Sequence, residues 1–351
     1  MNLYNQICSY DNLLLAYRKA RKNKTSKWYV HKFEKELERN LAKLEAELRT
    51  DTYQPHPLKN FVIRDPKTRT ISSSHFRDRV VHHAICNVIE PLFEKSFIHD
   101  SYASRKGKGT HAAIKRFDTF KRKASKNGRL VKNAKDGNMT IGYFLKADIR
   151  HYFETVDHEI LLKILAKKIN DDKVMSLIRK IVANHSTKNW KGMPIGNLTS
   201  QFFANIYLNE LDKFVKHNLR ARFYIRYLDD FVILHDKKVV LEWWKSRIDE
   251  FLKNSLKLEL HPDKSKIYAL HSGANFLGFR IFYHHKLLKK SNLRSMNLRM
   301  EELAEDYKNG NISQGELDAK ISGWCAYAVH GNTYKIRNRI RKNMKKITQS
   351  L

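Results

Sequence analysis

The stretch RYLDDFVIL, residues 226–234, places two adjacent carboxylates, Asp229 and Asp230, between two runs of strand-forming residues. The aromatic and β-branched residues on either side predict two strands, and a separation of two residues is typical of a β-hairpin. Tight hairpin turns usually contain Asn-Gly or Asp-Gly, whereas two neighbouring carboxylates repel each other. The pair is therefore either a solvated acidic loop or a site where a bound cation offsets the repulsion.

The net charge of the chain indicates a polyanionic partner. Its 351 residues include 68 Lys and Arg against 36 Asp and Glu, which gives a formal charge of +32. Such a charge opposes compaction unless a polyanion neutralises it, and the phosphodiester backbone is the usual polyanion. The length allows two or three domains, and a hydrophobic content of 42% argues against disorder.

A membrane is the competing polyanionic surface, and the sequence does not favour it. We find no apolar run of transmembrane length and no signal-peptide core near the N-terminus. The three widely spaced cysteines, Cys8, Cys86 and Cys325, fit reduced thiols better than a disulfide framework. We therefore expect a cytoplasmic protein with no membrane partner.

The rest of the chain alternates helical and extended patterns, which predicts a mixed α+β fold. Residues 1–54 contain apolar residues at three- and four-residue spacing, as amphipathic helices do. The segment FVIRDPKTRTIS, residues 61–72, predicts a hairpin that turns at Asp65-Pro66. Asp157 is placed to cap a helix that starts at His158, and the last 60 or so residues predict basic helices.

A third carboxylate, Asp148, ends the predicted strand YFLKADI. Strand ends from distant segments meet in a mixed sheet, so Asp148 can approach Asp229 and Asp230. Three converging carboxylates need cations, and two Mg²⁺ ions, with Mn²⁺ as a substitute, would form a clamp for in-line phosphoryl displacement. Together with the basic charge, this arrangement predicts a polymerase.

Several blocks resemble the reverse transcriptase family. RYLDDFVIL resembles its Tyr-x-Asp-Asp box, and YFLKADIRHYFETVDH resembles its other metal-binding block. SSSHFRDRVVHHAICNVIEPLFEKSF, YASRKGKGTHAA and NFLGFRI resemble earlier and later blocks in the correct order, so the resemblance covers roughly residues 55–285. It implies a right-hand polymerase with an N-terminal helical extension (1–54), fingers with early palm elements (55–145), a palm with a ferredoxin-like antiparallel sheet (146–284) and a basic helical thumb (285–351).

The resemblance also implies roles for residues around the nucleotide. Asp148, Asp229 and Asp230 would bind the metals, with help from the backbone carbonyl of Ile149. Phe153 would exclude a 2′-hydroxyl and so select deoxynucleotides, unless it is a core residue and Tyr152 is the gate. The cations expected at the triphosphate are Lys67 and Arg69, with Arg77 or Arg79, although any one of them could be a solvated charge.

Template RNA and the cDNA product would contact other basic segments. The glycines of SRKGKG would allow a phosphate backbone to approach Arg105, Lys106 and Lys108. On the last helix, Arg337 and Arg341 share one face and Lys335 and Arg339 share another, and either pair could contact phosphates. Tyr227 completes the residues expected to contact nucleic acid.

The segment PIGNLTSQ indicates a subclass. Most reverse transcriptases have Gln-Gly-x-x-x-Ser-Pro here, whereas Ile195, Gly196 and Gln201 match the Ile-Gly-x-x-x-Ser-Gln pattern of diversity-generating retroelement enzymes. Such an enzyme copies a template-repeat RNA into adenine-mutagenised cDNA for mutagenic retrohoming, and works with a small basic pentameric accessory protein. By the resemblance, Ile195, Gly196 and Gln201 would contact the incoming deoxynucleotide. Ile195 cannot donate or accept a side-chain hydrogen bond, so the nucleotide pocket would discriminate less between base pairs. The alternatives are an intron-type or defence-associated reverse transcriptase, and a non-catalytic RNA-binding protein on the same fold.

Overall fold

The computed structural model of the chain describes residues 2–64, 68–185 and 190–349. The chain divides into two compact units. The first contains Met1–Gly107, Ala147–Phe231 and Trp244–Ser265, and the second contains Lys108–Lys146, Val232–Trp243 and Lys266–Leu351. The α-helices are α1 Leu3–Cys8, α2 Tyr10–Arg21, α3 Trp28–Glu34, α4 Leu37–Arg49, α5 Phe76–Glu94, α6 Thr110–Ala124, α7 Tyr152–Thr155, α8 His158–Ala166, α9 Asp172–Ala183, α10 Leu198–Lys213, α11 Lys238–Leu256, α12 Lys290–Lys308, α13 Gln314–Ala328 and α14 Tyr334–Gln349.

The N-terminal helices form because their apolar residues recur on one face. In α4, Leu41, Leu44 and Leu48 are fully buried, while the residues between them are charged side chains and alanines. The predicted helical character of this segment is therefore confirmed. The predicted cap of α8 is confirmed too, because the Asp157 side chain accepts a hydrogen bond from the Ile160 backbone N–H at 3.1 Å.

Three antiparallel or mixed sheets complete the described structure. The strands are β1 Lys59–Ile63, β2 Arg69–Ser73, β3 Tyr143–Asp148, β4 Tyr224–Tyr227, β5 Asp230–His235, β6 Lys266–Ala269, β7 Ala274–Phe276, β8 Phe279–Ile281 and β9 Lys286–Leu288. Strands β1 and β2 form the predicted hairpin. The turn predicted at Asp65-Pro66 lies outside the described residues, as does Lys67.

The four-stranded sheet has the order β4-β5-β3-β6. Residues 231–234 of β5 are all buried, which explains why this strand is a continuous apolar run rather than an alternating one. The sheet order makes β3 and β5 neighbours, so the strand that ends at Asp148 lies beside the strand that starts at Asp230.

In the second unit, β7, β8 and β9 form an antiparallel sheet, and α12, α13 and α14 pack around an apolar core. That core consists of Met296, Leu303, Leu317, Ile321, Cys325, Ile340 and Met344. The prediction of C-terminal helices is confirmed, and so is the mixed α+β class. Among the described residues, we find no helix with the length and apolar character that crossing a bilayer requires.

Candidate active site

The turn of the acidic hairpin lies one residue earlier in the chain than the sequence predicts. The turn consists of Leu228 and Asp229, and Asp230 is already the first residue of β5. Leu228 has a φ of +54°, a left-handed conformation that bulky residues rarely adopt. Backbone strain of this kind persists only where the surrounding structure imposes it, and it concentrates at functional sites.

Asp148 meets this turn through the backbone. The residue that follows it, Ile149, is buried, and its N–H donates to the Asp229 carbonyl at 3.2 Å. The structure therefore brings the end of β3 and the β4–β5 turn together, with Asp148 and Asp229 close enough to interact electrostatically. The amino-acid sequence by itself does not require that these two segments, which are about 80 residues apart, lie next to each other.

The electrostatics of Asp229 reflect that closeness. Burial raises the pKa of the Asp229 carboxyl above its ordinary value, and the charge of Asp148 raises it further. A backbone hydrogen bond and the charges of Arg69 and Lys264 act in the opposite direction without cancelling the increase. Carboxylate oxygens are ligands that a divalent ion such as Mg²⁺ prefers, so Asp148 and Asp229 have the chemistry to hold such an ion.

Lys264 and Ser265 are part of this site, although the sequence did not indicate them. Lys264 Nζ lies 3.4 Å from Asp148 Oδ1. Ser265 Oγ accepts a hydrogen bond from the Asp148 N–H and donates one to the Asp148 carbonyl, both at 3.3 Å. One lysine among 68 basic residues carries no local signal, so only the fold identifies it.

The two candidate gate residues occupy different environments. Tyr152 is buried, and its hydroxyl donates to the Ala204 carbonyl at 2.8 Å. Phe153 is only half-buried, and its ring meets that of Tyr152 edge-on at 5.4 Å. Tyr152 is therefore held within the core, whereas Phe153 keeps part of its surface exposed.

The Ile195–Gly196 segment packs against β2. The Ile195 carbonyl accepts a hydrogen bond from the Ser72 N–H at 3.1 Å, and its side chain is half-buried. Gly196 has a φ of +116°, and a Cβ there would lie 2.8 Å from Ile71 Cγ2. Both the backbone conformation and the space therefore require glycine at this position.

A cleft of about 1060 Å³ in the first unit brings several predicted nucleotide contacts together. Its lining includes Trp28, Tyr29, Phe61, Arg79, Gly196 and Gln201. Arg79 donates to Ser73 Oγ at 2.5 Å and to the Ser74 carbonyl at 2.9 Å, and its guanidinium lies 5.3 Å from the Tyr29 ring centre. Arg79 is thus held in place at the cleft wall.

Two predicted arginine contacts are engaged within the protein instead. Arg77 pairs with Glu47 and stacks on Tyr53. The Arg105 side chain is only 7% exposed; it donates to Glu94 and to the carbonyls of Ile98 and Ser101. With its donors used in this way, Arg105 anchors its own loop, and the geometry does not favour a phosphate contact.

The remaining predicted contacts lie nearer the surface. Gln201 is exposed, and its Oε1 accepts a hydrogen bond from Ser104 Oγ at 3.1 Å. Arg69 is exposed and acts on Asp229 through its charge. The others are Lys106 and Arg341, which are exposed, and Lys108, Tyr227 and Arg337, which are half-buried.

Ligand atoms from His56, His75 and Asp78 all lie within 4.8 Å of one another, a spacing at which three side chains could hold a metal ion. The Asp78 carboxylate is already used, because it accepts hydrogen bonds from the Tyr53 hydroxyl at 2.9 Å and the His56 N–H at 3.0 Å. Buried carboxylates satisfied in this way hold segments together, so we assign this group a structural role.

Comparison with known protein families gives a match over most of the chain. Residues 59–281 match the family described as Reverse transcriptase (RNA-dependent DNA polymerase). Protein YkfC of Escherichia coli is 30% identical over 280 residues, covering 68% of this chain and 70% of that protein. Group II intron-encoded protein LtrA of Lactococcus lactis is 26% identical over 315 residues, covering 70% of this chain and 50% of LtrA.

Solved structures with a similar fold include telomerases. Apo telomerase from Candida tropicalis aligns with a TM-score of 0.50 at 14% identity, covering 67% of this chain and 49% of that one. Telomerase from Candida albicans, in complex with a TWJ fragment of telomeric RNA, aligns with a TM-score of 0.50 at 11% identity, covering 74% and 52%. The predicted α+β polymerase fold is therefore confirmed. The chain spans only about half the length of LtrA and of these telomerase chains.

Proposed function

The chain belongs to the reverse transcriptase family, and we propose that it is an RNA-directed DNA polymerase that joins deoxynucleotides by two-metal catalysis. The observation that carries the proposal is the meeting of Asp148 with the Leu228–Asp229 turn, where burial and mutual charge raise the pKa of Asp229. An acidic loop in open solvent would show neither the convergence nor the desolvation.

The metal-binding residues in this proposal are Asp148, Asp229 and Asp230, with the Ile149 carbonyl as a further oxygen. Members of the family use divalent metal ions, and we propose two Mg²⁺, with Mn²⁺ as a substitute. Bound there, such ions would supply activation of the primer 3′-oxygen and stabilisation of charge on the triphosphate. The protein would supply the oxygen ligands, and the backbone hydrogen bond from the Ile149 N–H to the Asp229 carbonyl would keep them in place.

Basic and aromatic side chains would position the nucleotide. Arg69 and Lys264 are the cations whose charges act on Asp229, so they are placed to meet the triphosphate. Arg79 in the cleft is a further candidate, and Lys67 remains one by resemblance. Phe153 would select deoxynucleotides by excluding a 2′-hydroxyl. Template RNA and product would contact Lys106, Lys108, Tyr227, Arg337 and Arg341.

We also propose the domain assignment implied by the resemblance. Residues 1–54 would be the N-terminal extension, 55–145 the fingers, 146–284 the palm and 285–351 the thumb. Support comes from the position of the acidic residues on the four-stranded sheet, which the palm should contain, and from the helical bundle formed by α12, α13 and α14.

Within the family, two subclasses have specific support. Ile195, Gly196 and Gln201 match the retroelement pattern, which favours a diversity-generating enzyme that works with template-repeat RNA and a pentameric basic accessory protein. The similarity to LtrA supports a group II intron-type enzyme at least as well. The first subclass should produce cDNA with errors concentrated at template adenines, whereas the second should copy all bases with similar accuracy.

Primer extension on an RNA template tests the main proposal. The wild-type chain should extend a DNA primer with deoxynucleotides and Mg²⁺, and Asp229→Asn and Asp230→Asn should abolish extension. Equal RNA binding without extension in all three proteins would instead support a non-catalytic RNA-binding protein. Sequencing cDNA made from the genome-encoded template RNA, with and without the neighbouring accessory protein, then separates the two subclasses.

A further inference from the structure

A buried ion pair lies beneath the acidic hairpin. The side chains of Arg226 and Asp212 are both completely shielded from solvent. The guanidinium makes a bidentate contact with the carboxylate: Nε lies 2.7 Å from Oδ1, and Nη2 lies 2.6 Å from Oδ2. Burying two charges carries a large desolvation penalty, and an apolar pair of similar size often stabilises a fold as well. Stability alone therefore does not account for this pair.

The remaining donors of Arg226 reach the catalytic turn. Its Nη1 donates to the Leu228 carbonyl at 3.3 Å and to Asn205 Oδ1 at 3.1 Å, and its Nη2 donates to Ser101 Oγ at 3.1 Å. Leu228 is the residue with a left-handed backbone, and its carbonyl belongs to the peptide bond that leads into Asp229. The guanidinium thus holds the strained peptide that orients the Asp229 backbone.

We infer that Arg226, oriented by Asp212, is a positioning residue that determines how tightly the Asp229 site binds divalent cations. The inference rests on the proposed function, because it assumes that Asp229 is a metal ligand. Only a planar fork with several fixed donors can hold Asp212, Asn205, Ser101 and the turn carbonyl at once. Lysine would keep the charge beside Asp212 but could not maintain the whole set.

A Mn²⁺ titration of the full-length chain, followed by the EPR signal of free Mn²⁺, tests this inference without requiring catalysis. The ions of interest are those that the wild type binds and Asp229→Asn does not. Arg226→Lys should weaken their binding by about tenfold, the lower end of what loss of an outer-shell partner causes. The Mg²⁺ concentration for half-maximal primer extension should rise by a similar factor.

Tyr224→Phe is the matched control. The Tyr224 hydroxyl donates to Asp212 Oδ1 at 2.7 Å, so this variant removes one buried hydrogen bond from the same carboxylate and leaves every guanidinium bond in place. It should lower the melting temperature as Arg226→Lys does, yet bind Mn²⁺ like the wild type. Unchanged Mn²⁺ affinity in Arg226→Lys, or equal weakening in both variants, overturns the inference.

A second variant tests the inference if Arg226→Lys does not fold. The double change Arg226→Met and Asp212→Leu replaces the pair with apolar side chains and removes the bond to the turn. It should fold and bind Mn²⁺ weakly; wild-type affinity overturns the inference. If the wild type binds Mn²⁺ in an Arg226-dependent way but extends no primer, the proposed function fails and the inference stands.

Discussion

The acidic strand ends and the C-terminal helical bundle make opposite contributions to the stability of the fold. At the strand ends, Asp148 and Asp229 are partly buried carboxylates whose mutual charge opposes the folded state. In the bundle, Leu317 and its apolar neighbours form the core, while the basic residues of α14 lie mostly outside it. At the strand ends, the charged groups proposed for catalysis therefore reduce stability. In the bundle, the apolar residues that stabilise the fold and the basic residues proposed to bind nucleic acid lie on different faces of the helices.

Removing the Asp229 carboxylate, a proposed metal ligand, should have the largest effect. We expect Asp229→Asn to reduce primer extension by roughly a thousand-fold, because about 4 kcal/mol of charge stabilisation depends on the bound metals. The same change should raise the free energy of unfolding at neutral pH without metal, since it removes a buried, repelled charge. Urea unfolding with EDTA measures the second effect, and a destabilised Asp229→Asn would contradict the comparison.

The pH dependence of that stability follows from the raised pKa of Asp229. Between the unfolded and folded pKa values the folded state binds more protons, so the contribution of Asp229 to stability is lost as the pH rises through its folded pKa. The advantage of Asp229→Asn should therefore shrink as the medium is acidified. Asp236 is the matched control: although burial alone would raise its pKa, Lys126 and His235 hold it below the ordinary value, so Asp236→Asn should lose stability at neutral pH.

A cavity in the bundle should cost stability without touching the chemistry. Leu317 is fully buried, and Leu317→Ala should lower the free energy of unfolding of the bundle by about 3 kcal/mol. Val329→Ala, at a half-exposed position near the end of α13, should change it by less than about 0.5 kcal/mol. Urea unfolding followed by circular dichroism compares the two, and equal effects would show that the apolar core does not carry the stability of this region.

The basic face of α14, which contains Arg337 and Arg341, should contribute to the binding of template and primer and not to the chemical step. We expect Arg337→Gln with Arg341→Gln to weaken template–primer binding several-fold. The slope of the logarithm of affinity against the logarithm of salt concentration should fall by about one for each phosphate that the variant no longer binds. Arg39→Gln, at an exposed position on α4, serves as the control for a simple loss of charge. Fluorescence anisotropy over a salt series gives both slopes, and identical slopes for the α14 and α4 variants would remove the assignment of this face.

The smallest effect should appear in fidelity. Ile195→Gln adds a side-chain hydrogen-bonding group to the segment against β2, and should reduce errors at template adenines by a few-fold. Val239→Gln is the control, because it introduces the same group at an exposed position near the start of α11, away from the cleft. Sequencing cDNA from both variants and from the wild type provides the measurement. If the three error spectra agree, Ile195 has no role in base discrimination.

Local patterns were enough to predict the helices, the β1–β2 hairpin and the cap at Asp157, and to select Asp148, Asp229 and Asp230 as candidate metal ligands. Periodicity, capping chemistry and adjacent charges act over a few residues, so the order of residues along the chain contains them. The hairpin turn was predicted one residue too far along, because propensity does not reveal that Leu228 adopts a left-handed backbone.

Other parts of the site depend on contacts between distant segments. Two examples, visible only in the folded chain, are Lys264 beside Asp148 and the Arg226–Asp212 pair under the turn. Single charges in a strongly basic sequence look alike, and tertiary packing decides which of them is buried or paired with a carboxylate. The chain order therefore specifies the reactive groups, and tertiary packing specifies their partners, because charge interactions depend on distance and burial rather than on neighbours in sequence.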